Sequence, residues 1–233
     1  MRIGDLVLVA EDGCEILNRL PKELEIIESF IVEGGFPMCH PTAVIRFSDG
    51  SVICLELYPE TAPHAVASFL HLARQGIFDH YPVERIVPGW VVDISYHGFG
   101  SLEACYFIPN DVKSGQYMEA AFGTIGMGGY GDDGLPDISG GEFFFPLADC
   151  PTITGKYPIF GRVTDGLEQL RRLERLETVP VAYPGVPEVK INTPLTPILI
   201  EQVTVDTYGI DYGAPTRIPV SKKPHFWPGL YTP

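Results

Sequence analysis

No apolar run in this chain approaches the roughly eighteen residues that a membrane-spanning helix needs, which predicts no membrane insertion. The first apolar stretch, residues 6–10, gives way to Glu11-Asp12-Gly13 and is too short for a signal-peptide core. Basic residues are scarce: 16 Lys and Arg face 30 Asp and Glu, for a formal charge of -14. Gripping a nucleic-acid backbone takes clustered Lys and Arg that displace counterions, so no nucleic-acid partner is expected. The five cysteines (14, 39, 54, 105 and 150) include no C-x-x-C pair and read as reduced thiols of a cytoplasmic protein. Cys39-His40 is the one adjacent pair of metal-ligand types and has no second pair at ligand spacing, so no metal site is predicted. H-E-x-x-H and G-x-S-x-G are both missing, which removes the zinc-helix proteases and the nucleophile-elbow hydrolases.

What the chain does have is punctuation. Its 25 glycines and 22 prolines leave little room for long helices, while 45% hydrophobic residues suffice for a core. Together they predict an all-β, or β-rich, domain of short strands. The clearest element is a hairpin, residues 43–48 and 51–57 joined by Asp49-Gly50, which predicts a tight primed turn. A helix follows, with Thr61 as N-cap, Pro63 in its first turn, Val66, Phe69, Leu70 and Ala73 at helical spacing, and Gly76 at its end. Residues 83–95 predict two strand pieces across the Pro88-Gly89 bend, and 123–129, 142–147, 158–164 and 198–205 predict further strands. A second helix is expected over residues 167–176, with Leu167, Leu170, Leu173 and Leu176 on one face. Ile45, Leu55, Phe69 and Phe160 are candidates for the core.

Two flanks lie outside this periodic region. Residues 1–41 are expected as an N-terminal extension, with a strand near 6–9 and a helix after Pro21. Residues 42–206 form the domain, and 207–233 a proline-rich, extended or partly disordered arm. Within the domain, Gly126-Met127-Gly128-Gly129-Tyr130-Gly131 satisfies the G-x-G-x-x-G dinucleotide pattern. That pattern works when its glycines open a helix toward a pyrophosphate. Here Asp132-Asp133-Gly134-Leu135-Pro136 follows, which disfavours a helix and repels phosphate, and the EF-hand calcium spacing is also missing.

Several segments stand in an order that resembles the cyclophilins, a family of peptidyl-prolyl cis-trans isomerases. Glu56-Leu57-Tyr58-Pro59, the run from Pro63 to Leu70, Gly76-Ile77-Phe78-Asp79 and Arg85-Ile86-Val87-Pro88-Gly89-Trp90 resemble its first half. Met127, Ser139-Gly140-Gly141-Glu142-Phe143-Phe144, Gly155-Lys156-Tyr157 and Phe160-Gly161-Arg162-Val163 resemble its second half. The resemblance implies a closed eight-stranded barrel capped by two helices, with a groove for an X-Pro segment and no cofactor. It implies proline-containing peptides or proteins as partners, met during folding or regulation. Arg85 falls on the family's catalytic arginine. Trp90, Val91, Phe144, Ile153 and Tyr157 fall on its proline pocket, and Asp93, Gly129 and Glu142 on other substrate-binding positions.

The departures carry information too. Val83-Glu84 replaces Phe-His before the arginine, Trp90 replaces Phe and Val91 replaces Met. Asp93 and Glu142 stand where the family has glutamines, and Thr152 stands at its groove tryptophan. The interval from Met127 to Glu142 is longer than the family's. A carboxylate at Asp93 forms a charge-assisted pair with a guanidinium, offsetting the charge that catalysis uses. The expected function is therefore X-Pro isomerisation with reduced or altered activity, either slower turnover or a preference for basic residues beside the proline. The alternative is a non-catalytic proline-peptide-binding module on the same fold.

Overall fold

In a computed structural model of the chain, the described residues are 7–10, 13–16, 39–94, 104, 106–131, 134–183 and 186–219. They belong to two compact units, Met1–Met38 and Cys39–Pro233. In the first, β1 (Val7–Ala10) and β2 (Gly13–Ile16) form an antiparallel hairpin. The helix expected after Pro21 lies outside the described residues.

The second unit begins with the predicted hairpin of β3 (Thr42–Phe47) and β4 (Val52–Leu57). Its turn is not the primed two-residue type. The Gly50 N–H donates to the Phe47 carbonyl (2.9 Å), and Gly50 alone in the turn has a positive φ, 84°. This is a three-residue connection closed by a left-handed glycine. The Asp49 carboxylate accepts from the Ser51 N–H (3.0 Å) and hydroxyl (2.6 Å), fixing the turn through a side chain.

α1 (Pro63–Arg74) ends just before Gly76, which has φ 67°. Its cap differs from the sequence expectation. Thr61 spends its hydroxyl on the Tyr58 carbonyl (3.0 Å), and the N-cap residue Ala62 has no side-chain acceptor. Asp111, distant in sequence, supplies the acceptors: its two oxygens take the N–H groups of His64 (3.2 Å) and Ala65 (2.9 Å). A carboxylate here satisfies orphan helix donors and complements the helix dipole. Asp111→Ala should therefore lower stability by about 1 kcal/mol, read as a shifted urea midpoint at unchanged slope. Asp111→Asn, which keeps an acceptor, should lose less.

The remaining elements are β5 (Val83–Val87), β6 (Val91–Ile94), β7 (Ile108–Pro109), β8 (Thr124–Tyr130), β9 (Leu135–Pro146), β10 (Ile159–Asp165), α2 (Leu167–Glu174), β11 (Thr178–Tyr183), β12 (Val186–Pro194) and β13 (Ile200–Asp206). A 3-10 turn covers Asp111–Ser114. The main sheet is ordered β13-β3-β4-β10-β8-β9-β6-β5, with β7 paired to β9; β11 and β12 form a separate hairpin. This corrects the expected closed barrel: the sheet curls into a half-barrel whose ladder stays open between β5 and β13. The two edges meet at one isolated bridge, Pro82 to Leu199, flanked by backbone hydrogen bonds from the N–H groups of His80 and Val83 to the carbonyls of Ile200 and Ile198 and from the Ile200 N–H to the Tyr81 carbonyl (each 2.8 Å). Pro82 has no N–H to continue a ladder, and His80 (φ 71°) turns the chain just before it.

The core fills the concave side. Phe69, Phe78, Phe143, Phe145 and Phe160 are buried together with Ile45, Ile53, Leu55 and Leu57. Phe69 of α1 meets Phe78, Phe143 and Phe160 at ring separations of 5.2, 5.5 and 5.4 Å. Each such side chain contributes roughly 1.5–3 kcal/mol by leaving water. In α2, Leu170 and Leu173 face this core, whereas Leu167 is exposed, its side chain lying over Gly123.

The described part of the arm after β13, residues 207–219, is anchored. Thr207 accepts from the Arg74 guanidinium (2.7 Å), Arg217 lies over the Tyr106 ring (4.3 Å), and the Ile218 N–H donates to the Phe107 carbonyl (2.8 Å).

Candidate active site

The strand register assembles a row of side chains on the face of the sheet away from the main core. Arg85 on β5 pairs with Asp93 on β6, Asp93 with Phe144 on β9, Phe144 with Gly126 on β8, and Gly126 with Ile159 on β10. Directly paired residues project from the same face, so five strands contribute to one line. The register slips between Val83 and Arg85, and this irregularity turns Arg85 into the row. The alternate residues Val92, Ile94, Phe143 and Phe145 enter the main core instead. All four residues of β6 are buried, so both of its faces are covered.

The charged end of the row is an ion pair. The Arg85 Nε donates to Asp93 Oδ2 at 2.5 Å, and both side chains are largely buried. Burial pushes the Asp93 carboxyl above its ordinary range, and the Arg85 guanidinium pulls against that push. Glu142 lies within electrostatic reach of both. Burial, reinforced by the Asp93 charge and opposed by Arg85, holds its carboxyl well above the usual range, although part of its surface meets solvent. Among the described residues Glu142 has no hydrogen-bond partner. It lies against Gly128, where a Cβ would stand 3.3 Å from its own.

The other end is apolar. Val91, Ala120, Phe144, Cys150, Ile153 and Ile159 form a buried cluster separate from the main core, with Val87, Met118 and Tyr157 packed against it. The Tyr157 ring meets Phe144 edge-on, 5.8 Å between centroids. Gly126 is required here by contact: a Cβ on it would come within 2.3 Å of Phe144 Cζ. A Cβ on Gly129 would likewise meet the Tyr157 ring at 3.2 Å. An apolar cluster flanked by a fixed guanidinium suits a ring with a polar bond at its edge.

The profile of the family described as Cyclophilin type peptidyl-prolyl cis-trans isomerase/CLD matches residues 42–205, more than half of the chain. The chain belongs to this family. Among its relatives are peptidyl-prolyl cis-trans isomerase B of Bacillus subtilis, 34% identical over 54% of this chain and 86% of that protein, and peptidyl-prolyl cis-trans isomerase CYP18-2 of Arabidopsis thaliana, 33% identical over 59% and 82%. The fold of this cyclophilin-type domain is shared with the crystal structure of a Cryptosporidium parvum cyclophilin type peptidyl-prolyl cis-trans isomerase. The TM-score is 0.57 at 21% identity, over 72% of this chain and 98% of that one.

Of the residues singled out in the sequence, Val91, Phe144, Ile153 and Tyr157 come together in one cluster, with Arg85, Asp93 and Glu142 beside it. Trp90 does not join the cluster. It is 38% exposed on the Pro88-Gly89 bend, with the Arg85 Cζ 5.4 Å from its ring centroid. Thr152 is exposed. Sequence reasoning missed Met118, Ala120 and Cys150, because the segment around 116–122 has no periodicity. It is tied to the 150–154 turn by the Cys150 N–H to the Ala120 carbonyl (2.7 Å) and the Ala120 N–H to Thr154 Oγ1 (2.9 Å). Among the described residues no His, Cys, Asp and Glu group is arranged to hold a metal, and no helix is long and apolar enough to cross a membrane.

Proposed function

We propose that residues 42–206 catalyse cis-trans isomerisation of X-Pro bonds, with Arg85 as the electrophile and Val91, Phe144, Ile153 and Tyr157 holding the proline ring. The observation that carries this reading is the row itself, a guanidinium clamped by Asp93 beside an apolar cluster that includes Phe144. Rotation about a peptide bond is opposed by about 18–20 kcal/mol of resonance. A cation held near the prolyl nitrogen favours the pyramidal, single-bonded form that occurs in the transition state, so the barrier falls without a covalent intermediate. Because the clamp is made in advance, no reorganisation is needed when the bond turns.

The Arg85–Asp93 pair also supports the second reading, a groove that binds proline segments with little turnover, since the carboxylate offsets the charge. A related Cryptosporidium parvum protein has been crystallised in the presence of the dipeptide Ala-Pro, which makes such short peptides suitable probes. A protease-coupled assay on a panel of X-Pro peptides separates the two. Acceleration proportional to protein concentration is the expected result, and saturable binding without acceleration would leave only the binding module.

A further inference from the structure

Bordered by Tyr157 lies a cavity of about 410 Å³ whose walls also include Val112, Lys113, Pro136, Asp137 and Lys156. That is within the range of small-ligand sites. It is a constructed cavity. Asn110, only 5% exposed, ties its three walls together. The Asn110 amide nitrogen donates to the carbonyls of Pro136 (3.0 Å) and Lys156 (2.9 Å), and its oxygen accepts from the Val112 N–H (3.2 Å). The Asn110 backbone N–H adds a bond to the Asp137 carbonyl (2.9 Å).

Among the described residues, the charge of the cavity lining runs against that of the chain. Lys113 pairs with Asp137, while Lys156 has no acidic partner among the described residues. Among the described residues of the lining, two lysines thus stand against one aspartate, in a protein of formal charge -14. The anionic end of the row is weaker than its composition suggests, because Asp93 is spent on Arg85 and burial favours the neutral form of Glu142.

We propose that this cavity is a second subsite of the same groove, which takes an acidic side chain of a proline-containing chain, with Lys156 supplying the cation and Val112, Pro136 and Tyr157 the apolar sleeve. The inference rests on the X-Pro reading of the neighbouring cluster. Tyr157 is the shared wall, its centroid 5.8 Å from that of Phe144. Successive Cα atoms are about 3.8 Å apart, so a side chain one or two positions from the proline can reach past a single aromatic ring such as Tyr157. A glutamate has both the carboxylate and the methylene stem that such a sleeve accommodates. The expected preference is opposite to the basic one suggested by Asp93 and Glu142 in the sequence.

The test uses the full chain and peptides that share one Ala-Pro core and carry Glu, Gln or Lys one or two positions to either side. Affinity is measured by titration calorimetry at low and high salt. At one of these positions the Glu peptide should bind about fivefold more tightly than its Gln counterpart at low salt, and the difference should shrink as salt screens it. Lys156→Ala should abolish the difference and Lys156→Glu should reverse it, while affinity for the Gln peptide stays as in the parent protein. Val112→Trp, which fills the cavity, should also abolish it. Equal affinity for Glu and Gln peptides, or a Glu preference untouched in Lys156→Ala, would overturn the subsite and leave the X-Pro reading standing. Failure of every proline peptide to bind would overturn both. A Lys156-dependent Glu preference without isomerisation would support the subsite on a non-catalytic groove.

Discussion

Arg85→Ala should lower kcat/KM on X-Pro peptides by about 30- to 1,000-fold, the equivalent of about 2–4 kcal/mol on the barrier and the usual scale for removing one preorganised donor. Peptide affinity should fall much less, because the apolar cluster of Val91, Phe144, Ile153 and Tyr157 stays in place. The variant leaves Asp93 buried without its guanidinium, and burial already pushes that carboxyl upward. Asp93 should then take up a proton rather than unfold the site, since a lone charge in that position is costly. Urea unfolding of the variant at two pH values separates lost chemistry from lost structure. Arg85→Lys should not restore activity, because a point ammonium cannot both pair with Asp93 through a planar fork and face the substrate. Parent-level turnover by a folded Arg85→Ala protein would remove Arg85 from the mechanism.

The parts of this fold that were legible in the sequence are those where one local rule applied without competition. The β3–β4 hairpin alternates apolar and polar residues around Asp49-Gly50, and α1 lies between Pro63 and Gly76. Where a distant group took over a local role, the sequence was silent. Thr61 has the chemistry of an N-cap, yet Asp111 does that work from a 3-10 turn that carries no periodic signal. Glycine and proline misled in the other direction. The strand expected over 142–147 starts earlier, and Gly140 and Gly141 lie within β9, where a Cβ would come 2.5 Å from the Tyr130 hydroxyl oxygen and 3.1 Å from the Ala104 carbonyl. Pro180, Pro187 and Pro194 hid the β11–β12 hairpin, which forms because an isolated pair has open edges where a missing N–H costs little. The candidate site could be read in the sequence only as a set of residue types. What could not be read was the register: the slip before Arg85, which sets it opposite Asp93, leaves no mark on composition or spacing.

Glu142→Gln should raise isomerase activity about tenfold at alkaline pH, roughly 1.4 kcal/mol off the barrier, and change it little at the acid end of the stable range. The argument turns on protonation. Burial first, and the Asp93 charge second, hold the Glu142 carboxyl well above the ordinary range, with Arg85 pulling the other way. Below that raised pKa the folded protein keeps a neutral Glu142, whose O–H can donate to a substrate carbonyl as an amide would, and which does not dilute the charge of Arg85. Above it the carboxylate does both harms. Activity of the parent protein should therefore climb as pH falls through the folded pKa of Glu142, and the glutamine variant should lack that limb. Stability carries the same sign. In the unfolded chain a glutamate titrates near about 4.3, so between that value and the raised one the folded state binds the extra proton. Stability then falls as pH rises across the window, and the loss is complete above the folded pKa. Glu142→Gln should be the more stable protein at alkaline pH, with the gap closing as the unfolded value is approached. Exchange NMR on a single X-Pro peptide follows turnover without a coupling protease, so one method covers the whole range. Parallel activity profiles for the parent and the glutamine variant would show that Glu142 exerts no control over Arg85.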